Sequence, residues 1–222
     1  MIITIDGPSG TGKTTVAKNV ADRMHFFYFD TGAMYRAFTW LVLHKELNIH
    51  DPLQLEKLLK DFDFQIAETH HEKHYFVNGV DITEAIRSRA VTDYVSEVAA
   101  IATVRSHLLH FQHGFAATQN VVFEGRDLGT VVFPHAEIKI FLDADPRVRA
   151  ERRMKEMLAK RPDQLKGLSE EQLLADIMRR DEYDSTREVA PLKCPPDAHT
   201  IDTTHLSIDQ VVDRIVNYCM LK

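Results

Sequence analysis

Residues Ile2-Ile3-Thr4-Ile5 form a β-branched run that ends at Asp6, and Gly7-Pro8-Ser9-Gly10-Thr11-Gly12-Lys13-Thr14 follows at once. From Lys13 onward, Val16, Ala17, Val20, Ala21 and Met24 recur at helical spacing. A buried strand, a glycine-rich loop and an amphipathic helix in this order make half of a βαβ unit, which commits the chain to a parallel sheet covered by helices. The loop fits G-x-x-x-x-G-K-[ST], the pattern of a phosphate-binding loop. Its glycines let backbone N–H groups turn inward around phosphate oxygens, and the helix N-terminus adds partial positive charge. Lys13 would reach the β- and γ-phosphates of a nucleotide. Thr14 would hold Mg²⁺ through its hydroxyl, with Thr15 beside it in the first helical turn. The plain alternative, an ordinary glycine-rich turn, does not explain why the motif sits between a strand and a helix.

The rest of the chain repeats the alternation. Phe26 to Phe29, Val121–Phe123, Ile138–Leu142 and His199–Ile201 read as further buried strands, and Thr31-Gly32 opens a helix through Tyr35, Phe38 and Leu41. One stretch departs from it. Phe62, Phe64 and Ile66 alternate with polar residues, and Tyr75 and Val77 lead into Asn78-Gly79, a strong hairpin signal. Residues 62–83 therefore read as antiparallel, within an insertion that ends near residue 96 after a helical piece. Arg161-Pro162-Asp163 through Gly167 reads as a mobile polar loop, and Ser169-Glu170-Glu171-Gln172 as a capping box opening a helix. Trp40 and the phenylalanines read as core.

With 44% apolar and 27% charged residues, the 222-residue chain has the composition of a folded globular protein, not of a disordered or fibrous one. Its net charge of −6 argues against a nucleic-acid polymer held by bulk positive charge. Yet eight of the fifteen arginines fall between Arg147 and Arg187. Such a local field suits a small anionic ligand. Cys194 and Cys219 offer neither a metal site nor a CxxC pair, which fits a reducing compartment. The N-terminus has no secretion-signal pattern, and the longest apolar run, near Trp40 to Leu43, is too short for a membrane span. These features predict a cytoplasmic protein with no membrane partner. No guanine-reading N-K-x-D occurs, which leaves kinases, ATP-driven machines and ATP-gated modules.

Several segments together resemble the bacterial cytidylate kinase family along nearly the whole chain: Ile5-Asp6-Gly7-Pro8-Ser9-Gly10, Asp30-Thr31-Gly32-Ala33-Met34-Tyr35-Arg36, Gly125-Arg126-Asp127-Leu128-Gly129-Thr130-Val131-Val132-Phe133-Pro134, Lys139-Ile140-Phe141-Leu142-Asp143-Ala144 and Arg187-Glu188-Val189-Ala190-Pro191-Leu192. The resemblance implies a single α/β P-loop kinase domain over 1–222, with a five-stranded parallel sheet, a small antiparallel monophosphate-binding insertion (62–96) and a short lid (153–170). It implies transfer of a phosphoryl group from ATP, with Mg²⁺, to CMP or dCMP, by a monomer. The CMP site would use Thr31, Tyr35, Arg36, Arg105, Arg126, Asp127, Arg180, Asp184 and Arg187, with Lys13, Arg126 and Arg187 catalytic. Arg152 or Arg153 would be the lid residue over ATP, Arg153 being the one assigned to the cofactor. Thr31 stands where the family often has serine, Thr14 where it has glycine or serine, and Glu124 where it has aspartate.

The residues themselves leave plainer readings open. Arg180, Asp184 and Arg187 lie at i, i+4 and i+7, the spacing of one helix face, and a surface ion-pair ladder would look the same. Arg36, placed in the first turn of its helix, opposes the macrodipole, which invites a phosphate explanation. Arg126 and Asp127 follow a buried strand, where α/β sheets bind ligands, or they form a local ion pair. Arg149 reads as part of a solvated basic face. The histidines at 70, 71 and 74, and His107, His110 and His113, read as unliganded. Other functions remain: a P-loop kinase acting on AMP, UMP or a non-nucleotide acceptor, and a non-catalytic ATP-binding module.

Overall fold

A computed structural model describes residues 1–69, 72–160, 162 and 169–222. In chain order the elements are β1 (Ile2–Asp6), α1 (Lys13–Met24), β2 (Phe27–Asp30), α2 (Thr31–His44), α3 (Pro52–Lys60), β3 (Phe64–Thr69), β4 (Glu72–Val77), β5 (Val80–Asp81), α4 (Arg89–Ala100), α5 (Ala102–Thr118), β6 (Val121–Gly125), β7 (Ile138–Asp143), α6 (Pro146–Lys160), α7 (Glu170–Thr186), β8 (His199–Asp202) and α8 (Ile208–Met220). Two compact units result, one made of Met1–Asp30 with His113–Lys222, the other of Thr31–Gln112.

The first unit carries the five-stranded parallel sheet, in the order β2-β6-β1-β7-β8. β1 is central, with Ile3 paired to Val122 on one side and Ile138 on the other. Both its faces are covered, with Ile3 and Ile5 fully buried on one and Thr4 and Asp6 on the other, which is why the strand shows no alternation of apolar and exposed positions. Val16, Ala17 and Val20 of α1 and Val212 and Ile215 of α8 pack with these strands into one core. The parallel order brings the carboxyl ends of β1 and β6 side by side, with Asp6 opposite Gly125. The segments after those strands, the phosphate loop and Arg126-Asp127, start from adjacent points.

In the second unit, β3, β4 and β5 form the antiparallel sheet that the alternation predicted. Asn78 and Gly79 both adopt positive φ (50° and 78°), the conformation a two-residue hairpin turn requires. Phe62 stacks on Phe64 and Phe64 on Tyr75, while Phe38 meets Phe62 edge-on, so aromatic rings join aliphatic side chains such as Met34, Ile82 and Ile86 in the core of this unit. Trp40 departs from the expected core role. It is half-buried, its ring stacked on His44 one helical turn later.

The Ser169–Gln172 capping box is present and opens α7. His70, His71 and most of the expected lid loop, residues 161 and 163–168, lie outside the described residues. No helix among the described residues is long and apolar enough to cross a membrane, and no three metal-binding side chains gather among them.

Candidate active site

The phosphate loop runs from Gly7 to Thr14 between β1 and α1. Gly7, Gly10 and Gly12 all have positive φ (147°, 81° and 90°). At Gly7 the requirement is also steric, since an added Cβ would stand 2.0 Å from the Leu142 carbonyl oxygen. Gly7→Ala is therefore expected to cost about 3 kcal/mol or more. Gly79→Ala, where positive φ is the only obstacle, should cost about 1 kcal/mol. Comparing the two in chemical denaturation separates clash from strain; equal costs would mean that β7 yields freely.

Within the loop, Lys13 is buried and its ammonium donates to the Pro8 carbonyl at 2.6 Å, while the Thr11 hydroxyl donates to the same oxygen at 3.2 Å. Burial and the nearby Arg126 charge push the Lys13 pKa well down, against the pull of the Glu124 and Asp181 carboxylates. Thr14 and Thr15 are exposed at the start of α1. The Thr14 hydroxyl donates to Glu124 Oε2 at 3.0 Å, and the Tyr28 hydroxyl donates to the other oxygen, Oε1. Burial, reinforced by Asp30, raises Glu124 to about 7. A hydroxyl beside a carboxylate is an all-oxygen donor set of the kind Mg²⁺ takes together with phosphate oxygens.

Asp6, fully buried at the end of β1, accepts from the Leu128 and Gly129 amides at 3.0 and 2.8 Å. It thereby ties the strand before the phosphate loop to the segment after Arg126-Asp127. Burial outweighs these two hydrogen bonds and raises its pKa from 3.8 to about 7; Asp127 adds to the rise and Lys13 opposes it. A raised carboxyl binds its proton more tightly folded than unfolded, so its stabilising contribution is full below pH 3.8 and lost as pH rises through about 7. Stability should fall with pH across that window by this route, and Asp6→Asn should flatten the slope. Thermal melting of both proteins at a series of pH values tests it; parallel slopes would refute it.

Arg126, Asp127, Asp184 and Arg187 form a crossed network in the first unit. Arg126 Nε donates to Asp184 Oδ2 at 3.1 Å, and Arg187 Nη2 to Asp127 Oδ1 at 3.3 Å. Arg126 and Asp127 are each bridged to a residue at the end of α7. Arg187 does not continue the α7 face, because the helix ends at Thr186. Its guanidinium instead donates through Nε and Nη2 to the carbonyl of Ala190 (2.8 and 2.6 Å), a non-glycine residue at φ 50°. Arg180 lies on the helix, 4.0 Å from Asp184, and its buried Nε has no hydrogen-bond partner among the described residues. Burial and Arg126 lower its pKa to about 10, which leaves it cationic at neutral pH.

The second unit holds the other predicted substrate residues. Thr31 is buried at the first position of α2. The Arg105 guanidinium lies 5.4 Å from the Tyr35 ring centroid and donates to the Ala99 carbonyl at 3.0 Å. Arg36 donates to the Ile86 carbonyl (3.1 Å) and the Thr92 hydroxyl (2.9 Å). With α2 starting at Thr31, Arg36 falls in the second turn and not the first, so the macrodipole argument loses force.

The cytidylate kinase family model matches residues 3–221. The chain belongs to the cytidylate kinase family. It is 50% identical over 218 residues to the cytidylate kinase of Protochlamydia amoebophila, covering 98% of this chain and 96% of that protein. Identity to the cytidylate kinase of Geobacillus kaustophilus is 47% over 215 residues, with coverage of 96% and 94%. An uncharacterised protein from Eubacterium ventriosum shares the fold at a TM-score of 0.52 and 14% identity, covering 100% of this chain and 99% of that one.

Against the cytidylate kinase motifs, sequence reasoning misjudged one arginine and overlooked its partner. Arg149 is not a solvated surface residue. It is buried, pairs with Asp181 and donates to the Ser9 carbonyl of the phosphate loop at 2.8 Å. The signal was available: Arg149 is the fourth residue of α6, where a cation opposes the helix dipole. Arg152 donates to the Thr203 hydroxyl and carbonyl (3.0 and 2.6 Å), and the Thr203 hydroxyl in turn donates to the Thr11 carbonyl at 3.3 Å. Arg153 sits on α6 with about a third of its side chain exposed, 3.1 Å from Glu156.

Proposed function

We propose that this protein transfers the γ-phosphoryl group of ATP to CMP or dCMP, giving ADP and CDP or dCDP. The observation that carries this reading is the placement, after the adjacent strands β1 and β6, of a complete phosphate loop and of a buried arginine–carboxylate network. In the reaction, Lys13 leaves the Pro8 carbonyl for the β- and γ-phosphates, where its charge meets the charge of the moving phosphoryl group. Thr14 and Glu124 would hold Mg²⁺, which would supply charge neutralisation during the transfer. No general base is needed, because the acceptor is already an anionic phosphate oxygen. Arg36, Arg126 and Arg187, aided by Arg180, grip the acceptor phosphate, Asp184 orients Arg126, and Thr31 and Tyr35 contribute to the nucleotide site. Arg153 serves the ATP side. The substrates are small molecules, and we infer a monomeric, cytoplasmic enzyme. ADP release measured with CMP, dCMP, UMP and AMP tests the assignment: CMP and dCMP should be the preferred acceptors, and equal rates with all four would refute it.

Choice of base rests in this reading on Arg105 and Asp127. Cytosine presents an N4 donor where uracil presents the O4 acceptor, so a carboxylate at 127 accepts from the first and repels the second. Readout of this kind is worth roughly 1–3 kcal/mol. Asp127→Asn can turn its amide to donate to O4, so it should lose CMP activity and narrow the CMP/UMP ratio by about tenfold or more. The substitution also weakens the partner of buried Arg187. A purely structural loss would lower kcat/KM for both acceptors equally. An unchanged ratio therefore removes Asp127 from base recognition.

A further inference from the structure

Ser9 lies within the phosphate loop, yet both its backbone polar groups are engaged by side chains far away in sequence. Its N–H donates to Asp181 Oδ1 at 3.0 Å, and its carbonyl accepts from Arg149 Nη1 at 2.8 Å. The same Arg149 Nη1 also donates to Asp181 Oδ2, so the two side chains close a ring over one residue of the loop. Arg149 Nε is anchored separately on the Ala144 carbonyl at 3.0 Å, which fixes the guanidinium at the start of α6. Packing repeats the contact, since a Cβ at Gly10 would meet the Arg149 Cβ at 3.0 Å. Both side chains are largely buried, at 6% and 16% exposure, so the pair is shielded from the screening that weakens surface ion pairs.

We propose that Arg149 and Asp181 are positioning residues for the nucleotide, a clip that holds the phosphate loop from outside in its binding conformation. The chemistry fits backbone rather than phosphate recognition. A carboxylate accepts from an N–H and a guanidinium donates to a carbonyl, so each charge meets the backbone dipole of opposite sign. A phosphate ligand could use only the arginine. The ring also links α6 and α7 to the loop that joins β1 and α1. A loop with so many positive-φ residues has many conformations to lose on binding, and a clip that limits them in the free protein lowers that loss.

This inference rests on the loop being the ATP site, and its test keeps the two apart. Arg149→Lys keeps the charge but cannot reach Ala144, Ser9 and Asp181 together from one ammonium; Asp181→Asn keeps the size but loses the charge. ADP affinity of the wild type, the two variants and the double variant is measured by calorimetry, with KM for ATP and CMP measured in parallel. Each variant should weaken ADP binding about tenfold and raise KM for ATP to match, with KM for CMP within twofold. The double variant should be no worse than the weaker single one, because either change alone opens the ring. A variant that melts below the assay temperature is read at a lower temperature beside wild type. ADP affinity within twofold of wild type in both single variants, additive losses in the double variant, or equal rises in both KM values would each overturn the clip. Failure of the wild type itself to bind ADP would instead overturn the ATP-site reading.

Discussion

Lys13→Ala is expected to lower kcat for CMP-dependent ADP release by about 10²–10³-fold, the cost of removing one preorganised electrostatic partner of a transition state. Phosphoryl transfer gives a protein little covalent chemistry to perform, so loss of a charge at the moving group falls on the rate. KM for CMP should stay within a few-fold, since Lys13 belongs to the loop proposed to meet the donor. The resting position of Lys13 sharpens the expectation. Its buried ammonium donates to the Pro8 carbonyl, and burial together with Arg126 destabilises the charge. An incoming polyphosphate adds to the pull of the Glu124 and Asp181 carboxylates on the ammonium, so ATP binding should raise the lysine pKa toward its ordinary range. Steady-state kinetics on the variant decide the matter: near-normal kcat would remove the loop from the reaction.

What the sequence discloses here is local, and what it withholds is long-range. Gly7 to Thr14 could be read as a phosphate loop because strand, turn and helix cues adjoin within a few residues. The Asn78-Gly79 turn and the Ser169–Gln172 capping box are likewise self-contained, and both are present. Strand order is another matter. Nothing in Ile2–Asp6 says that β6 and β7 will flank it, because parallel pairing joins segments over a hundred residues apart. The clip on Ser9 is hidden for the same reason, since its contact with Asp181 spans 172 positions. Arg187 was misplaced by a smaller error. Spacing of i, i+4 and i+7 assumes an unbroken helix, whereas α7 stops at Thr186 and the chain turns through Ala190 at positive φ before Pro191. That turn sends the guanidinium back toward Asp127 and the Ala190 carbonyl, so the residues converge by a route that helical periodicity does not describe.

The same turn bears on the proposed clamp on the acceptor phosphate, which should not tolerate lysine. Arg187 uses Nε and Nη2 on one carbonyl and shares Nη2 with Asp127, with Nη1 3.9 Å from Asp184. Arg126 uses Nε on Asp184 and Nη1 on the Gly125 carbonyl. A planar fork can satisfy such fixed acceptors and still present N–H groups to two phosphate oxygens; a single ammonium cannot do both. Arg126→Lys and Arg187→Lys should therefore each lower kcat/KM for CMP by about 10²-fold, the worth of one to two charge-assisted hydrogen bonds. Arg36→Lys should also impair catalysis, but with a fall in stability, because its guanidinium holds Ile86 and Thr92 inside the second unit. Melting curves beside the kinetics separate the cases. Loss of kcat/KM with an unchanged melting temperature at position 126 or 187 marks phosphate recognition, and kcat/KM within threefold of wild type in both variants would dismantle the clamp.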